Sequence, residues 1–201
     1  MEISHQDLGT VFVRRDVLKW QVDAIENVAR SYSYYRIAQR NNNEIESNRI
    51  HARTHVMTLC VTNFIIDWCK IFGSNNNNKT HYTRLIDTRQ GHNQFENYRK
   101  SVEDHICSCC TISNDDLVSI SKTMHKFRSR FAAHIDINRI PAVPSLRDKL
   151  DIAIGYVGFL NRFDADTLWD NEIMIVNVAE RSGFYEEELA TFAGWPVNIQ
   201  P

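Results

Sequence analysis

The sequence predicts an all-α helical bundle with two long antiparallel helices and about three shorter ones. Apolar residues recur at helical spacing along most of the chain, glycine occurs only seven times, and no Asn-Gly hairpin signal is present. A chain of 201 residues is long enough for one domain with a substantial core. We therefore expect a single domain over residues 1–201, of which 171–201 is a C-terminal extension.

The first long helix is predicted over about residues 14–39. Its apolar side chains follow a period close to 3.6 residues, which is typical of an amphipathic helix. The inward stripe is expected to comprise Val17, Trp20, Ala24, Ile25, Val28, Tyr32, Tyr35 and Ala38. A turn at Asn41-Asn42-Asn43 should end this helix.

The second long helix is predicted over about residues 44–72. Its stretch from Val56 to Ile71 is almost entirely apolar, so we expect it to be the most buried element. Leu59 is expected in the core, where truncation to alanine costs about 2–5 kcal/mol. A long polar loop should follow over 74–92, with one short turn near 82–86.

The shorter helices are placed by their start signals. A third helix is predicted over 93–109, and a capping box at Ser113–Asp116 opens the fourth. A second capping box at Ser145–Asp148 should open a helix that reaches about Trp169. The inward stripe of the fourth helix is expected to be Leu117, Ile120, Met124, Phe127 and Phe131. Residues 171–180 fit either a helix or a strand.

Composition narrows the class of protein. The formal net charge is −2, so a nucleic acid would have to meet a local basic patch rather than a basic surface overall. Five cysteines without disulfide-scaffold spacing, and no signal peptide at the N-terminus, predict a cytoplasmic protein. We count no apolar run close to the roughly 20 residues that span a bilayer, so no membrane partner is expected.

The residues best suited to catalysis lie in the stretch Lys126-Phe-Arg-Ser-Arg-Phe-Ala-Ala-His-Ile-Asp136. Arg128 and Arg130 offer permanent charge and a fork that matches phosphate oxygens, and His134 has a side chain suited to proton transfer near neutral pH. The spacing alone is a weak signal, because Arg49 and Arg99 are each followed by a histidine after five residues. The context of the motif therefore has to decide its meaning.

Two stretches resemble the HEPN superfamily, in particular its AbiU-like abortive-infection branch. The first is Lys126–Asp136, which is similar to the branch's arginine, polar residue, basic residue, aromatic and Ala-His-x-Asp ending. The second is Phe64–Gly73 followed by Thr80-His81-Tyr82, which is similar to a long helix with an aromatic-rich end and a Thr-His-aromatic loop. The helix order also agrees from about Val17 to Trp169.

The resemblance implies a HEPN-like bundle that forms homodimers and cleaves RNA without a metal or cofactor. It assigns the catalytic arginine and histidine roles to Arg128 and His134, which line a cleft shared by the two chains. Ser129 stands where the family commonly has Asn, Asp or His. The resemblance also implies a role in phage defence or as a toxin, with an antitoxin or defence protein as partner.

The chemistry of the residues agrees with that role. In metal-independent RNA cleavage the neighbouring 2′-hydroxyl is the nucleophile, and His134 is the candidate base for its proton. Arg128 is the candidate to bind the charge that builds on the phosphoryl oxygens. Arg130 precedes His134 by four residues and lies on nearly the same helical face. Asp136 is a candidate for orienting the imidazole.

Asp67 lies within the apolar end of the second helix, where a charge needs a partner. One interpretation is an ion pair with an arginine at the rim of the core. The other is that Asp67 faces Arg128 or Arg130 and positions it. The sequence leaves both interpretations open.

Other clusters are given structural interpretations. Cys107-Ser-Cys-Cys110 with His105 lacks a second ligand pair at zinc spacing, so buried thiols are expected. His51 and His55 lie one turn apart, and a solvated pair is favoured over a metal site. A basic and aromatic zone at the first hairpin is expected to consist of amphipathic surface arginines, with RNA binding as the alternative. Its members are Arg36, Arg40, Arg49, Arg53, Tyr32, Tyr34 and Tyr35.

The runner-up function belongs to another class. It is a catalytically silent helical module that binds RNA or a partner protein, and Ser129 is the residue that favours it. The two functions differ in whether RNA is cut or only bound.

Overall fold

The computed structural model describes residues 13–40, 50–74, 78–86, 92–131 and 143–161. Within these residues the chain is an all-α bundle, which confirms the predicted fold class. The helices are α1 (Arg15–Arg40), α2 (Ile50–Phe72), α3 (His92–Cys110), α4 (Asn114–Phe131) and α5 (Arg147–Leu160). A short 3-10 helix, Tyr82–Arg84, lies between α2 and α3, where the sequence predicts a short turn.

The two long helices, α1 and α2, lie antiparallel. Near the C-terminus of α1, the guanidinium of Arg53 in α2 donates hydrogen bonds to the carbonyls of Ala38 and Gln39. Nearer the middle of α1, the rings of Tyr32 and Phe64 lie with their centroids 6.4 Å apart. Positions along α1 therefore fall as positions along α2 rise, which confirms the predicted antiparallel pair.

Burial along α2 is uneven, contrary to the prediction for its long apolar stretch. Its buried residues all lie from Cys60 onward, and Leu59 is 48% exposed. Other helices contact the second half of α2: Trp68 Nε1 donates to the carbonyl of Lys149 in α5, and Ser121 of α4 donates to the carbonyl of Phe72. The placement of Leu59 in the core is thus wrong.

The most enclosed helix is α5 rather than α2. Nine of the 14 residues of α5 are buried. Two of its rings pack edge-on against rings of neighbouring helices: Tyr156 against Phe72 at 5.7 Å, and Phe159 against Tyr98 at 5.9 Å. A helix that has neighbours on several sides needs apolar residues around most of its circumference. The predicted extension of α5 towards Trp169 lies outside the described residues.

The inward stripe of α1 differs from the prediction at one position. Trp20 is 45% exposed, and the polar side chain of Gln21 is fully buried in its place. At 100° per residue, Gln21 points in nearly the same direction as Val28, whereas Trp20 points about 80° away from Val28. The predicted helical period is therefore confirmed. The prediction is wrong only for Trp20, a large apolar residue at the edge of the stripe.

Two predicted capping boxes have different outcomes. In the first, Ser113 Oγ accepts from the backbone N–H of Asp116 at 3.1 Å, and the Asp116 carboxylate accepts from the backbone N–H of Ser113 at 2.9 Å. These hydrogen bonds also lower the pKa of Asp116. The second box is wrong: the N-cap of α5 is Leu146, which makes no side-chain capping hydrogen bond. The helix still begins there because its apolar face packs into the core.

Among the described residues, one helical stretch is long and apolar enough to cross a membrane. It is His51–Phe72, and half of its most apolar window is buried inside the bundle. The core helix of a water-exposed bundle can be equally long and apolar, so this stretch carries little weight as a membrane signal.

Candidate functional site

The motif residues that the structure describes lie on the last turn of α4. Arg128, Ser129 and Arg130 are all exposed there. His134 and Asp136, together with the rest of 132–142, lie outside the described residues. The predicted roles of His134 and Asp136 therefore stay predictions.

The opposite face of α4 is fixed to the bundle. Met124 is fully buried and Phe127 is 6% exposed, so the apolar side of the helix is packed on α2 and the core. The Ser121 hydroxyl adds a hydrogen bond to the carbonyl of Phe72, at the end of α2. This anchoring leaves the cationic side of α4 turned outward.

Charge is segregated along α4. Its acidic residues, Asp115 and Asp116, lie in the first turn, and basic residues occupy its second half. The exposed basic residues of that half are Lys122, His125, Lys126, Arg128 and Arg130. Acidic groups at a helix N-terminus and cations at its C-terminus both agree with the helix dipole. The result is a cationic helix end that can bind anions with its side chains.

The charge of Arg128 acts on a thiol of α2. Burial raises the pKa of the Cys69 thiol to about 11, and the positive charge of Arg128 acts in the opposite direction. The Arg128 side chain is itself exposed.

Ser129 has a hydrogen bond within its own helix. Its hydroxyl donates to the carbonyl of His125 at 3.0 Å. This arrangement uses the hydroxyl proton and leaves the oxygen lone pairs available. At this position the side chain can therefore accept a hydrogen bond from a ligand.

Asp67 is buried and forms an ion pair with Lys70, three residues later in α2. The Lys70 side chain is about half exposed, so the pair links a buried carboxylate to the surface. The cation found beside Asp67 is therefore a lysine of the same helix. Whether Asp67 also positions Arg128 stays a prediction.

The Thr80-His81-Tyr82 stretch packs against the end of α2. Thr80 Oγ1 donates to the carbonyl of Lys70 at 2.9 Å, and His81 Nδ1 lies 2.8 Å from Thr83 Oγ1. Burial lowers the pKa of His81 to about 4, and a hydrogen bond with the backbone of Gly73 opposes that effect. His81 is thus neutral near pH 7, and its role here is structural.

A buried polar network, not predicted from the sequence, connects this stretch to α1, α3 and α5. Gln21 Nε2 donates to the carbonyl of His81 at 3.0 Å, and Gln21 Oε1 accepts from the Tyr156 hydroxyl at 2.8 Å. The Tyr98 hydroxyl donates to the carbonyl of Tyr82 at 3.1 Å. The available signal was a glutamine in the centre of the apolar stripe of α1, because a buried amide requires partners.

His125 is a further exposed residue of α4 that the sequence pattern did not single out. On an ideal helix, Val118, Lys122, His125 and Ser129 follow one face, since they are spaced by four, three and four residues. All four are exposed. The imidazole of His125 thus lies one helical turn before Arg128 and Ser129. This spacing of three and four residues is the signal from which His125 could have been predicted.

The cysteine cluster is less buried than predicted. Cys109 is exposed, and Cys107 and Cys110 are only partly buried. The reason is that the last turn of α3 borders a cavity rather than a packed interface. Within the residues that the structure describes, no group of three or more His, Cys, Asp or Glu side chains is arranged to hold a metal ion.

The remaining clusters lie on the surface. His51 and His55 are both exposed, as expected for a solvated pair. In the first hairpin the Arg36 guanidinium lies 5.9 Å from the Tyr32 ring centroid, and Arg53 binds the carbonyls at the end of α1. Arg53 therefore has a capping role in the hairpin.

Comparison with known proteins gives no relative. No family model, no curated protein and no solved structure matches this chain. Any functional assignment thus depends on the residues and their geometry.

Proposed function

We propose that the protein is a metal-independent endoribonuclease of the HEPN type, active in the cytoplasm in phage defence or as a toxin. The proposal follows from the resemblance of the Lys126–Asp136 stretch and is supported most by one observation. Arg128, Ser129 and Arg130 are exposed together at the end of a helix whose acidic residues lie at its other end. Such an end attracts a phosphodiester and does not repel it.

The proposed chemistry divides the work between charge and proton transfer. Arg128 binds the phosphoryl oxygens as their negative charge grows, and Arg130 adds a second cation on the same turn. His134 removes the proton of the 2′-hydroxyl, and the 2′-oxygen then attacks the adjacent phosphorus. Asp136 orients the imidazole of His134. The bond between phosphorus and the 5′-oxygen breaks, and the 5′-oxygen takes up a proton from water. The products are a 2′,3′-cyclic phosphate and a free 5′-hydroxyl.

We propose a homodimer in which the α4 helices face each other. One set of Arg128 and His134 supplies few donors for a pentacoordinate phosphorus, and a two-fold axis doubles them. Val118 supports this arrangement, because it is 50% exposed and lies on the α4 face that also carries His125 and Ser129. Light scattering that shows only monomer at high concentration contradicts the dimer.

The test is cleavage of a mixed RNA substrate in excess EDTA. We expect cyclic-phosphate ends on the products, and we expect Arg128→Ala and His134→Ala each to abolish cleavage. Lys100→Ala is the matched control, because Lys100 is an exposed cation on α3 and not on the motif helix. Loss of activity in the control as well, or a strict need for added divalent metal, contradicts the proposal.

The alternative is a helical module that binds RNA or a protein partner such as an antitoxin but does not cut. The bond from the Ser129 hydroxyl to the carbonyl of His125 favours this alternative, because a serine held within its helix replaces the larger polar side chain of the family. Ser129→Asn separates the two functions. The substitution keeps or raises cleavage if the protein is an enzyme, and it leaves only binding if the module is silent.

A further inference from the structure

A cavity of about 560 Å³ lies at the last turn of α3, between α4 and α5. Four isoleucines give it an aliphatic wall, and the thiols of Cys109 and Cys110 open into it. Asp148 and Asp151 line it as well. The isoleucines are Ile112, Ile120, Ile152 and Ile154. Its volume is within the range of small-molecule sites in proteins.

Two glycines of α5 face the last turn of α3. A Cβ at Gly155 would lie 3.5 Å from Cys109 Cβ, and a Cβ at Gly158 would lie 3.4 Å from His105 Nε2. These are ordinary van der Waals distances, so α5 lies close to Cys109 and His105 at the edge of the cavity that the two glycines line.

Cys109 differs from its neighbouring thiols. Its Sγ lies 3.4 Å from His105 Nε2, within hydrogen-bond distance for sulfur, and its side chain is exposed. Cys107 instead donates to the side-chain oxygen of Asn114 at 3.2 Å. Burial raises the pKa of Cys110 to about 11, and the charge of Asp151 adds to that effect. Cys109 is thus the thiol that combines access with an adjacent base.

We propose that Cys109 is a covalent modification site that binds uncharged aliphatic α,β-unsaturated carbonyl compounds in the adjoining cavity. The aliphatic wall fits the alkyl chain of such a compound. The two carboxylates of the lining are each paired with a cation, Asp148 with Lys149 and Asp151 with Arg147, so an uncharged compound suits the cavity. This site is independent of the proposed ribonuclease motif, which lies at the other end of α4.

The reaction is a conjugate addition and needs no further reactant. His105 Nε2 accepts the thiol proton as Cys109 Sγ forms a bond to the β-carbon of the enal. The π electrons of the C=C bond move to give an enolate. The imidazolium then returns the proton to the α-carbon, which leaves a thioether and an intact carbonyl.

The experiment compares the full-length protein treated with 2-octenal or with 2-butenal, followed by peptide mapping in a mass spectrometer. Rates are divided by those of glutathione with the same enal, which corrects for intrinsic reactivity. We expect 2-octenal to modify Cys109 at least about tenfold faster than 2-butenal after this correction, because its longer chain fills the cavity. Cys107→Ser is the control and should leave both rates unchanged.

Two variants test the base and the cavity separately. His105→Gln should lower the rate at Cys109 about tenfold or more with both enals. Ile120→Trp should fill the cavity and remove the preference for 2-octenal while keeping the reaction with 2-butenal. Cys60 and Cys69 are buried, so their labelling reports any variant that has unfolded. If His105→Gln unfolds, the Ile120→Trp result decides.

Three results overturn the proposal. They are equal labelling of Cys107, Cys109 and Cys110, equal corrected rates for the two enals, and an unchanged rate in folded His105→Gln. The first shows simple surface reactivity, the second shows that the cavity takes no part, and the third shows that the imidazole is not the base.

Discussion

The Tyr156 hydroxyl donates a hydrogen bond to the side-chain oxygen of Gln21 at 2.8 Å in the interior of the bundle. This bond joins α1 to α5 across 135 residues of sequence. The amide of Gln21 also donates to the carbonyls of Thr80 and His81. One side chain therefore holds together two helices and the segment that follows α2.

Tyr156→Phe should destabilise the protein by about 1–3 kcal/mol, because it leaves the Gln21 side-chain oxygen buried without its donor. Urea unfolding followed by circular dichroism measures the change. Tyr35→Phe serves as control, since Tyr35 is a partly buried tyrosine of α1 outside this network, and a change within about 0.5 kcal/mol is expected. Equal effects of the two substitutions contradict a special role for the Gln21 bond.

Phe64→Ala and Leu59→Ala should differ strongly although both truncate an apolar side chain of α2. Phe64 is fully buried, so its truncation should cost about 3–5 kcal/mol. Leu59 is 48% exposed, so its truncation should cost less than about 1 kcal/mol. Midpoints of urea unfolding give both values. A large loss for Leu59→Ala indicates that its side chain meets a surface in solution, such as a second copy of the chain.

His81 should make stability depend on pH. Burial lowers the pKa of its imidazole from 6.5 to about 4, so the unfolded chain binds a proton that the folded chain does not between these values. Above about pH 6.5, His81 therefore contributes about 3 kcal/mol to the free energy of unfolding. This contribution is lost as the pH falls from about 6.5 through 4. His81→Gln should reduce the loss of unfolding free energy between pH 7 and pH 4. If wild type and variant lose the same amount, His81 is not the group responsible.

The salt dependence of RNA binding should report how many cations of α4 contact phosphates. For single-stranded RNA, each cation that contacts a phosphate adds about 0.7 to the slope of log K against log salt. Arg128→Ala and Arg130→Ala should each lower the slope by about that amount, and Lys100→Ala should leave it unchanged. Fluorescence anisotropy with a labelled oligonucleotide at several salt concentrations gives the slopes. Unchanged slopes in both arginine variants remove α4 from the RNA contact surface.

Much of the helical layout was predictable, because local signals determine it. The capping box of Ser113 and Asp116 depends only on residues three apart, and the structure confirms it. The prediction for Ser145 was wrong because Leu146 packs into the core, and that tertiary contact replaces a side-chain cap. The prediction for Leu59 was wrong for a related reason. The hydropathy of α2 does not reveal which part of the helix is covered by other helices, and Leu59 lies outside that part.

The candidate site was predictable only as residue types. The sequence identifies Arg128, Ser129 and Arg130 as a cationic group, and the structure adds that α4 turns them outward. The partners of Gln21 could not be found from the sequence, because the carbonyl of His81 and the hydroxyl of Tyr156 come from distant parts of the chain. Hydrogen bonds between such distant segments leave no periodic signal in a sequence.

The position of α5 has a consequence for synthesis. The most enclosed helix is also the last of the described helices to leave the ribosome, so α1 to α4 emerge while the surfaces that α5 covers are still open. The sides of Phe72 and Tyr98 that pack on α5 rings stay open in the nascent chain until α5 has left the ribosome. We expect a premature stop before α5 to leave these apolar surfaces exposed to chaperones and proteases.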